Sequence, residues 1–139
     1  MAYKGYLIKI GNYIFPPSMI KAETYKATNY GQDLDSTRDV DGILHRTALS
    51  NTAPKVEFEM RNMLDNTQMS SIFKRIQENY TNAVEKKASV EVYVPELDRY
   101  VTSDMYMADF EPTMYFADAT KIQYTSTRMA WISYGVKTV

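Results

Sequence analysis

The sequence predicts a mainly β (α+β) fold: an antiparallel β-sandwich or half-closed barrel with one flanking α-helix and a long extended loop. Three observations predict it. Apolar and polar residues alternate along most segments, which is the pattern of half-buried antiparallel strands. Residues 65–84 carry the one clear helical apolar period, and a helix with a single apolar stripe needs a sheet to cover. Residues 30–52 are polar and hold few apolar side chains.

Composition and charge narrow the class of protein further. The 139 residues are 45% apolar and 24% charged, which predicts a single globular domain over residues 1–139. A formal net charge of −1 argues against specific nucleic-acid binding. No apolar run approaches the roughly eighteen residues that span a membrane, and the first residues are too polar for a secretory signal. The chain has no cysteine, so neither disulfides nor thiolate metal sites are expected.

The first segment predicts a β-hairpin over residues 6–15. Tyr6, Ile8 and Ile10 alternate with Leu7 and Lys9, and the chain returns through residues 13–15 after Gly11-Asn12, a pair typical of a two-residue turn. Two consecutive prolines then end the second strand, because proline cannot donate to a ladder. Residues 18–28 follow as a longer strand candidate with no fully apolar face. Such a strand suits a sheet edge or an interface.

The polar composition of residues 30–52 predicts an extended arm that projects from the body. A short strand is expected at residues 43–49, after the Asp41-Gly42 turn. A loop of this length inside a compact domain is often functional. It holds too little apolar surface to pack on its own body, so the arm is expected to gain its order from a neighbouring copy. Its charged and turn residues form the candidate subunit interface: Asp33, Asp35, Arg38, Asp39, Asp41, Gly42, His45 and Arg46.

The segment after the arm predicts a strand that leads into the helix. Apolar residues alternate with charged ones over residues 55–61. Asp65 is a favourable N-cap, and Gln68 is placed to complete a capping box. The apolar stripe of the helix is expected to cover the core. It consists of Met69, Ile72, Phe73, Ile76, Tyr80 and Val84.

The C-terminal third predicts a second hairpin and a final strand. Residues 89–94 and 99–107 alternate on either side of a four-residue turn that begins with proline. The apolar connection through Phe110, Tyr115 and Phe116 is expected to pack on the body. In the last strand, residues 121–134, the inward face switches near residues 126–128, as a β-bulge or a change of sheet would produce.

The sequence contains no motif for catalysis or for a cofactor. His45 is the one histidine, no Gly-x-Ser-x-Gly elbow accompanies it, and no glycine-rich phosphate loop occurs. Asp33 and Asp35 begin like an EF-hand calcium loop, but Arg38 stands where the tight-turn glycine belongs and Leu44 replaces the bidentate glutamate. We therefore expect no enzyme activity, no cofactor and no metal. The four aspartates of the arm are instead expected to form ion pairs with its arginines or with a neighbouring subunit.

The order of these segments resembles the small tail proteins of phages and prophages of Gram-positive bacteria. The resemblance rests on the first hairpin, the strand at residues 55–61, the capped helix and the later Val-x-Val hairpin. Its most specific part is the polar stretch with Arg38, Asp41-Gly42 and Arg46. More loosely, the chain is similar to the tail-tube superfamily, whose members combine a β-sandwich, one helix and one long loop in ring assemblies.

The resemblance implies a structural subunit of a phage tail or tail-like particle, with no catalytic residues. It implies a ring, with six as the expected number of copies. The resemblance leaves three positions open, namely tube, tube-to-baseplate adaptor and baseplate, and we expect a position near the junction of tube and baseplate. Its partners would be copies of itself and other tail proteins: tube, baseplate hub and tape measure. The protein would reside in the virion tail, and in the host cytoplasm during assembly. Two alternatives are the major tail-tube protein itself and a monomeric β-sandwich module that binds a sugar or a peptide.

Overall fold

The computed structural model describes residues 3–137, which form thirteen β-strands, two short 3₁₀-helices and one α-helix. The 3₁₀-helices are Pro17–Met19 and Ala22–Thr24, and the α-helix, α1, is Asn66–Glu78. The strands are β1 Ile8–Ile10, β2 Tyr13–Ile14, β3 Lys26–Tyr30, β4 Asp33–Arg38, β5 Leu44–Ala48, β6 Asn51–Glu59, β7 Leu64–Asp65, β8 Lys87–Val94, β9 Arg99–Met107, β10 Met114–Ala117, β11 Ile122–Tyr124, β12 Arg128–Ser133 and β13 Val136–Lys137.

The strands form one large sheet and two small ones, and every pairing is antiparallel. The large sheet has the order β13-β6-β12-β9-β8-β1-β2, with β3 paired along β6. A three-stranded sheet has the order β10-β11-β7, and β4 and β5 form a separate two-stranded sheet. Over residues 3–137 the sheets do not close into a barrel. This architecture confirms the predicted fold class, a β-sandwich-like α+β fold with one helix.

The core follows from the alternation that the sequence shows. Along β6, β8, β9 and β12 every second side chain is buried, and the registers bring these side chains together. Ile8 and Ile10 lie opposite Val92 and Val90 across the first hairpin and β8. The fully buried set includes Ile8, Ile10, Phe15, Val56, Phe58, Met60, Leu64, Ile76, Val90, Val92, Val94, Met105, Met129 and Trp131.

Helix α1 begins at the predicted cap. The Asp65 carboxylate accepts from the Gln68 backbone N–H at 2.8 Å, and the Gln68 side chain accepts from the Asp65 N–H at 3.2 Å. This capping box satisfies two backbone donors that a helix start otherwise leaves unpaired. Met69, Ile72 and Ile76 are buried against the sheet, as predicted, although Phe73 is only half-buried.

The predicted C-terminal end of the helix, residue 84, is wrong. The helix ends at Glu78, and Asn79 is its C-cap. Beyond it the Asn82 side chain accepts from the backbone N–H groups of Val84 and Glu85, a local arrangement that competes with the helix. Val84 is therefore almost fully exposed rather than part of the apolar stripe.

Replacing Asp65 tests the cap directly. Asp65→Ala is expected to lower the free energy of unfolding by about 1 kcal/mol, since it leaves the Gln68 N–H without its acceptor. Asp65→Asn should retain most of the stability, because asparagine is an equally favoured N-cap. Urea denaturation followed by circular dichroism measures both. Equal losses in the two variants would contradict the capping role.

Residues 18–28 do not form the long strand that the sequence predicts. Two 3₁₀ turns occupy most of this segment, and a strand begins only at Lys26. Pro17 starts the first turn, and the Thr24 hydroxyl donates to the Lys21 carbonyl at 2.6 Å in the second. The strand that remains, β3, lies beside β6 near the edge of the large sheet.

The segment from residue 108 to residue 127 is only partly as predicted. The Phe110 ring packs on Phe73 with centroids 4.7 Å apart, but Tyr115 and Phe116 are exposed. They are exposed because β10 is the outer strand of the small sheet. The predicted face switch is confirmed, since β11 belongs to this small sheet and β12 to the large one.

Candidate functional site

The structure gathers all eight candidate interface residues in one hairpin over residues 31–50, to which the name arm is restricted from here on. It is shorter than the predicted 30–52 because Tyr30 belongs to β3 and residues 51 and 52 belong to β6. Its strands β4 and β5 pair with each other as a separate sheet, and every side chain from residue 33 to residue 51 is exposed. The base of the arm is narrow, because the Leu49 N–H donates to the Gln32 carbonyl at 2.7 Å. The arm is thus a hairpin whose strands are held by their own pairing rather than by the body.

The tip of the arm is organised by Asp39. Its Oδ1 accepts from the backbone N–H groups of Asp41 and Ile43 at 2.9 and 3.1 Å. Its Oδ2 lies 2.9 Å from His45 Nε2. The bond to His45, followed by those to the backbone, lowers the pKa of the Asp39 carboxyl below its usual value. Gly42 completes the turn with a φ of +79°, a conformation that favours glycine.

The two arginines of the arm first stabilise the arm itself. Arg46 Nε donates to Asp33 Oδ1 at 2.6 Å, and Arg38 Nη1 donates to the Gly42 carbonyl at 2.9 Å. A guanidinium has five N–H donors, so both side chains retain donors that point away from these bonds. The carboxylates of Asp35 and Asp41 have no hydrogen-bond or ionic partner within residues 3–137.

The described residues contain no group of three or more potential ligands that could hold a metal ion. The arm aspartates are instead distributed along the hairpin, one in a pair with Arg46 and one in the tip turn. Over the same residues, no helix is long and apolar enough to cross a membrane.

Sequence reasoning missed the apolar side chains of the arm. Five of them are exposed: Leu34, Val40, Ile43, Leu44 and Leu49. Val40 stands at the tip between Asp39 and Asp41 and is entirely accessible to solvent. Exposed apolar residues are ordinary when single, but a group of them on one projecting element indicates an interaction surface. They carry no periodic pattern in the sequence, so their exposure is visible only once β4 and β5 pair as a separate sheet.

A second exposed apolar surface is a groove between α1, the turn that follows it and the segment that follows β9. This groove has a volume of about 570 Å³. Lys86 is its one charged lining residue, and Gln77 is polar. The remaining lining residues are Met69, Phe73, Tyr80, Ala83, Met107, Phe110 and Pro112. Sequence patterns could not reveal the groove, because it depends on how α1 docks beside residues 107–112.

Part of the tyrosine content is used inside the fold. Tyr6, Tyr93 and Tyr100 pack together, with ring centroids 5.1 and 5.4 Å apart. Their hydroxyls are already bonded: Tyr6 to Glu91, Tyr93 to Asp98, and Tyr100 to the Tyr6 carbonyl. The bond to Glu91 is the main reason that the pKa of Tyr6 is raised to about 12. This cluster therefore stabilises the end of the β8–β9 hairpin and offers no free hydroxyls to a ligand.

Two solved structures share this fold. A chain from the virion of a native gene transfer agent (GTA) particle is 11% identical, with a TM-score of 0.54 over 98% of this chain and 95% of that chain. A chain from the tail of an empty GTA particle, computed with helical refinement in C6 symmetry, is also 11% identical. Its TM-score is 0.52 over 100% of this chain and 99% of that chain. At this identity the likeness shows the fold alone.

No curated protein matches the chain. The model of one protein family matches residues 1–134 of the chain. This range is nearly the whole sequence and includes both the arm and the groove. The chain therefore belongs to DUF6711, a family of unknown function.

Proposed function

We propose that the protein is a non-enzymatic structural subunit of a phage tail or tail-like particle. In this proposal residues 1–139 form a single tail-tube-like domain that assembles with copies of itself and with other tail proteins. The fold shared with chains of a gene transfer agent virion and tail supports this class of role. The resemblance to small tail proteins of phages and prophages of Gram-positive bacteria supports it independently.

The arm is the observation that carries the proposal. A two-stranded hairpin is at best marginally stable in water, and this one exposes five apolar side chains with no support from the body. Contact with an adjacent copy would bury those side chains and fix the hairpin. Such a contact joins two different surfaces of the same chain, so it is heterologous and closes into a ring when the rotation permits.

The proposal has two finer features, and the copy number rests on the resemblance. We propose six copies in the ring and a position near the junction of tube and baseplate. The tail of the similar GTA particle was refined in C6 symmetry, which is compatible with a sixfold ring. The other partners would be tube, baseplate hub and tape-measure proteins. The assembled protein would reside in the virion tail after assembly in the host cytoplasm.

The proposed interface residues of the arm are tested through its arginines. Arg38→Ala combined with Arg46→Ala should weaken ring assembly, because both side chains hold the shape of the arm and offer charge-assisted donors to a neighbour. The melting temperature of the isolated subunit should change little, because the arm does not support the body. Native mass spectrometry gives the oligomeric state, and differential scanning calorimetry gives the melting temperature.

The matched control is Arg61→Ala, which removes an exposed arginine outside the arm. It should leave assembly unchanged. Lysine at both arm positions should give an intermediate loss, since lysine keeps the charge without the planar fork. Normal assembly of the Arg38→Ala/Arg46→Ala protein would exclude these arginines as interface anchors.

A further inference from the structure

We infer that the apolar groove beside α1 receives the tip of the arm from an adjacent copy of the chain. The inference rests on the proposed ring and names its acceptor surface. It joins two exposed surfaces of the described residues: a projecting tip and a concave groove.

The groove has the chemistry of a receptor for apolar side chains beside a carboxylate. Apart from Gln77 and Lys86, its lining is apolar or aromatic, and it contains no acidic residue. The Lys86 ammonium has no ionic partner among the described residues. A cation in the lining of a largely apolar groove favours an anionic occupant over a neutral or cationic one.

The arm tip has the complementary chemistry. Val40 is wholly exposed and stands between two aspartates. Asp39 is occupied by the turn, whereas the Asp41 carboxylate is free. Ile43, on the other side of the turn, adds a second exposed apolar side chain. Val40 and Ile43 would enter the groove of the next copy, and Asp41 would pair with Lys86.

The dimensions of the arm allow this contact. Each strand of about six residues extends about 20 Å at the usual rise per residue, so the exposed tip lies far enough from the base of the arm to contact an adjacent copy. The groove and the arm are built from different segments of the chain. One copy can therefore give its arm to a second copy while its own groove accepts the arm of a third, which is how a ring grows.

Cysteine cross-linking tests the contact, because the chain has no cysteine of its own. Val40→Cys is combined with Ala83→Cys, an exposed position in the groove lining. Under mild oxidation of the assembled protein, a head-to-tail contact should link successive copies into a ladder up to the full ring. Each single-cysteine variant can give no product larger than a dimer.

The control pair is Val40→Cys with Glu96→Cys. Glu96 is exposed in the turn between β8 and β9, whereas the groove lies at the other end of that hairpin, about 25 Å away by strand length. The control pair should give no ladder. Equal ladders from the two pairs, or none from Val40→Cys with Ala83→Cys, would overturn the contact.

A charge exchange tests the proposed ion pair. Asp41→Lys and Lys86→Asp should each raise the concentration needed for half-maximal assembly by about tenfold or more, because each places like charges together. The double variant should return it to within about threefold of the unmodified chain. Lys86 has a φ of +55°, a conformation that aspartate tolerates well, so its replacement should fold. Lys74→Asp, on the exposed face of α1, is the control.

The outcomes separate this inference from the proposed function. If the unmodified chain stays monomeric at high concentration, the ring and the contact both fail. If it forms rings that need the arm, but neither cross-linking nor charge exchange implicates the groove, the ring stands and the acceptor surface is elsewhere.

Discussion

Deleting the arm should abolish ring assembly and leave the body folded. The deletion joins Gln32 to Leu49 through a short glycine–serine turn, and the two ends are already adjacent in the structure. The residues removed pack on no part of the core, so the melting temperature should shift by no more than a few degrees. The deleted protein should remain monomeric at concentrations at which the full chain assembles, as analytical ultracentrifugation would measure.

The control for this deletion is a change to an exposed apolar residue outside the arm. Ile14→Ser removes a half-exposed isoleucine from β2, outside both the arm and the groove, and should leave assembly intact. An arm-deleted protein that still forms rings would refute the proposed role of the arm. A deleted protein that no longer folds would show that the arm contributes to the stability of its own subunit, contrary to our interpretation.

Trp131→Ala should be the most destabilising single replacement in the core. Trp131 has no accessible surface and lies in β12, opposite Val56 of β6 and Met107 of β9. Truncation would leave a large cavity between these strands and should lower the free energy of unfolding by about 3–5 kcal/mol. That is enough to unfold a domain of ordinary stability. Urea denaturation followed by far-ultraviolet circular dichroism measures the loss.

Trp131→Phe is the matched control for this replacement. The buried Trp131 indole nitrogen has no hydrogen-bond partner within the described residues, so phenylalanine removes volume without breaking a bond. Its cost should be about 1–2 kcal/mol, which corresponds to the smaller cavity. Equal losses for alanine and phenylalanine would show that the site does not respond to volume, against the packed core described above.

The strands and the helix start could be predicted because local rules decide them. Alternation over residues 89–94 requires burial of every second side chain, and β8 has this pattern. Asp65 and Gln68 are separated by the spacing that a capping box needs, and both bonds form. Such features depend on the nearest residues along the chain, so tertiary contacts leave them unchanged.

The errors arose where side-chain bonds or tertiary packing override the apolar period. Val84 fits the helical period of α1, but Asn82 captures the backbone N–H groups that would continue the helix. Tyr115 and Phe116 are apolar enough to predict burial, yet β10 places them on the outside of a small sheet.

The candidate interface was predicted in part. The charged residues of the arm are distinctive in the sequence because they interrupt the alternation of strands. The apolar residues among them, such as Val40, carry no periodic pattern, and their exposure becomes visible only in the folded hairpin. The groove needs α1 and Phe110 to meet, which no local pattern encodes.

The most direct test of the account is cryo-electron microscopy of the assembled protein. The account predicts a closed ring, with six copies, in which the arm of each copy contacts the adjacent copy rather than its own body. A protein that remains monomeric at high concentration, or rings in which every arm packs against its own subunit, would contradict it.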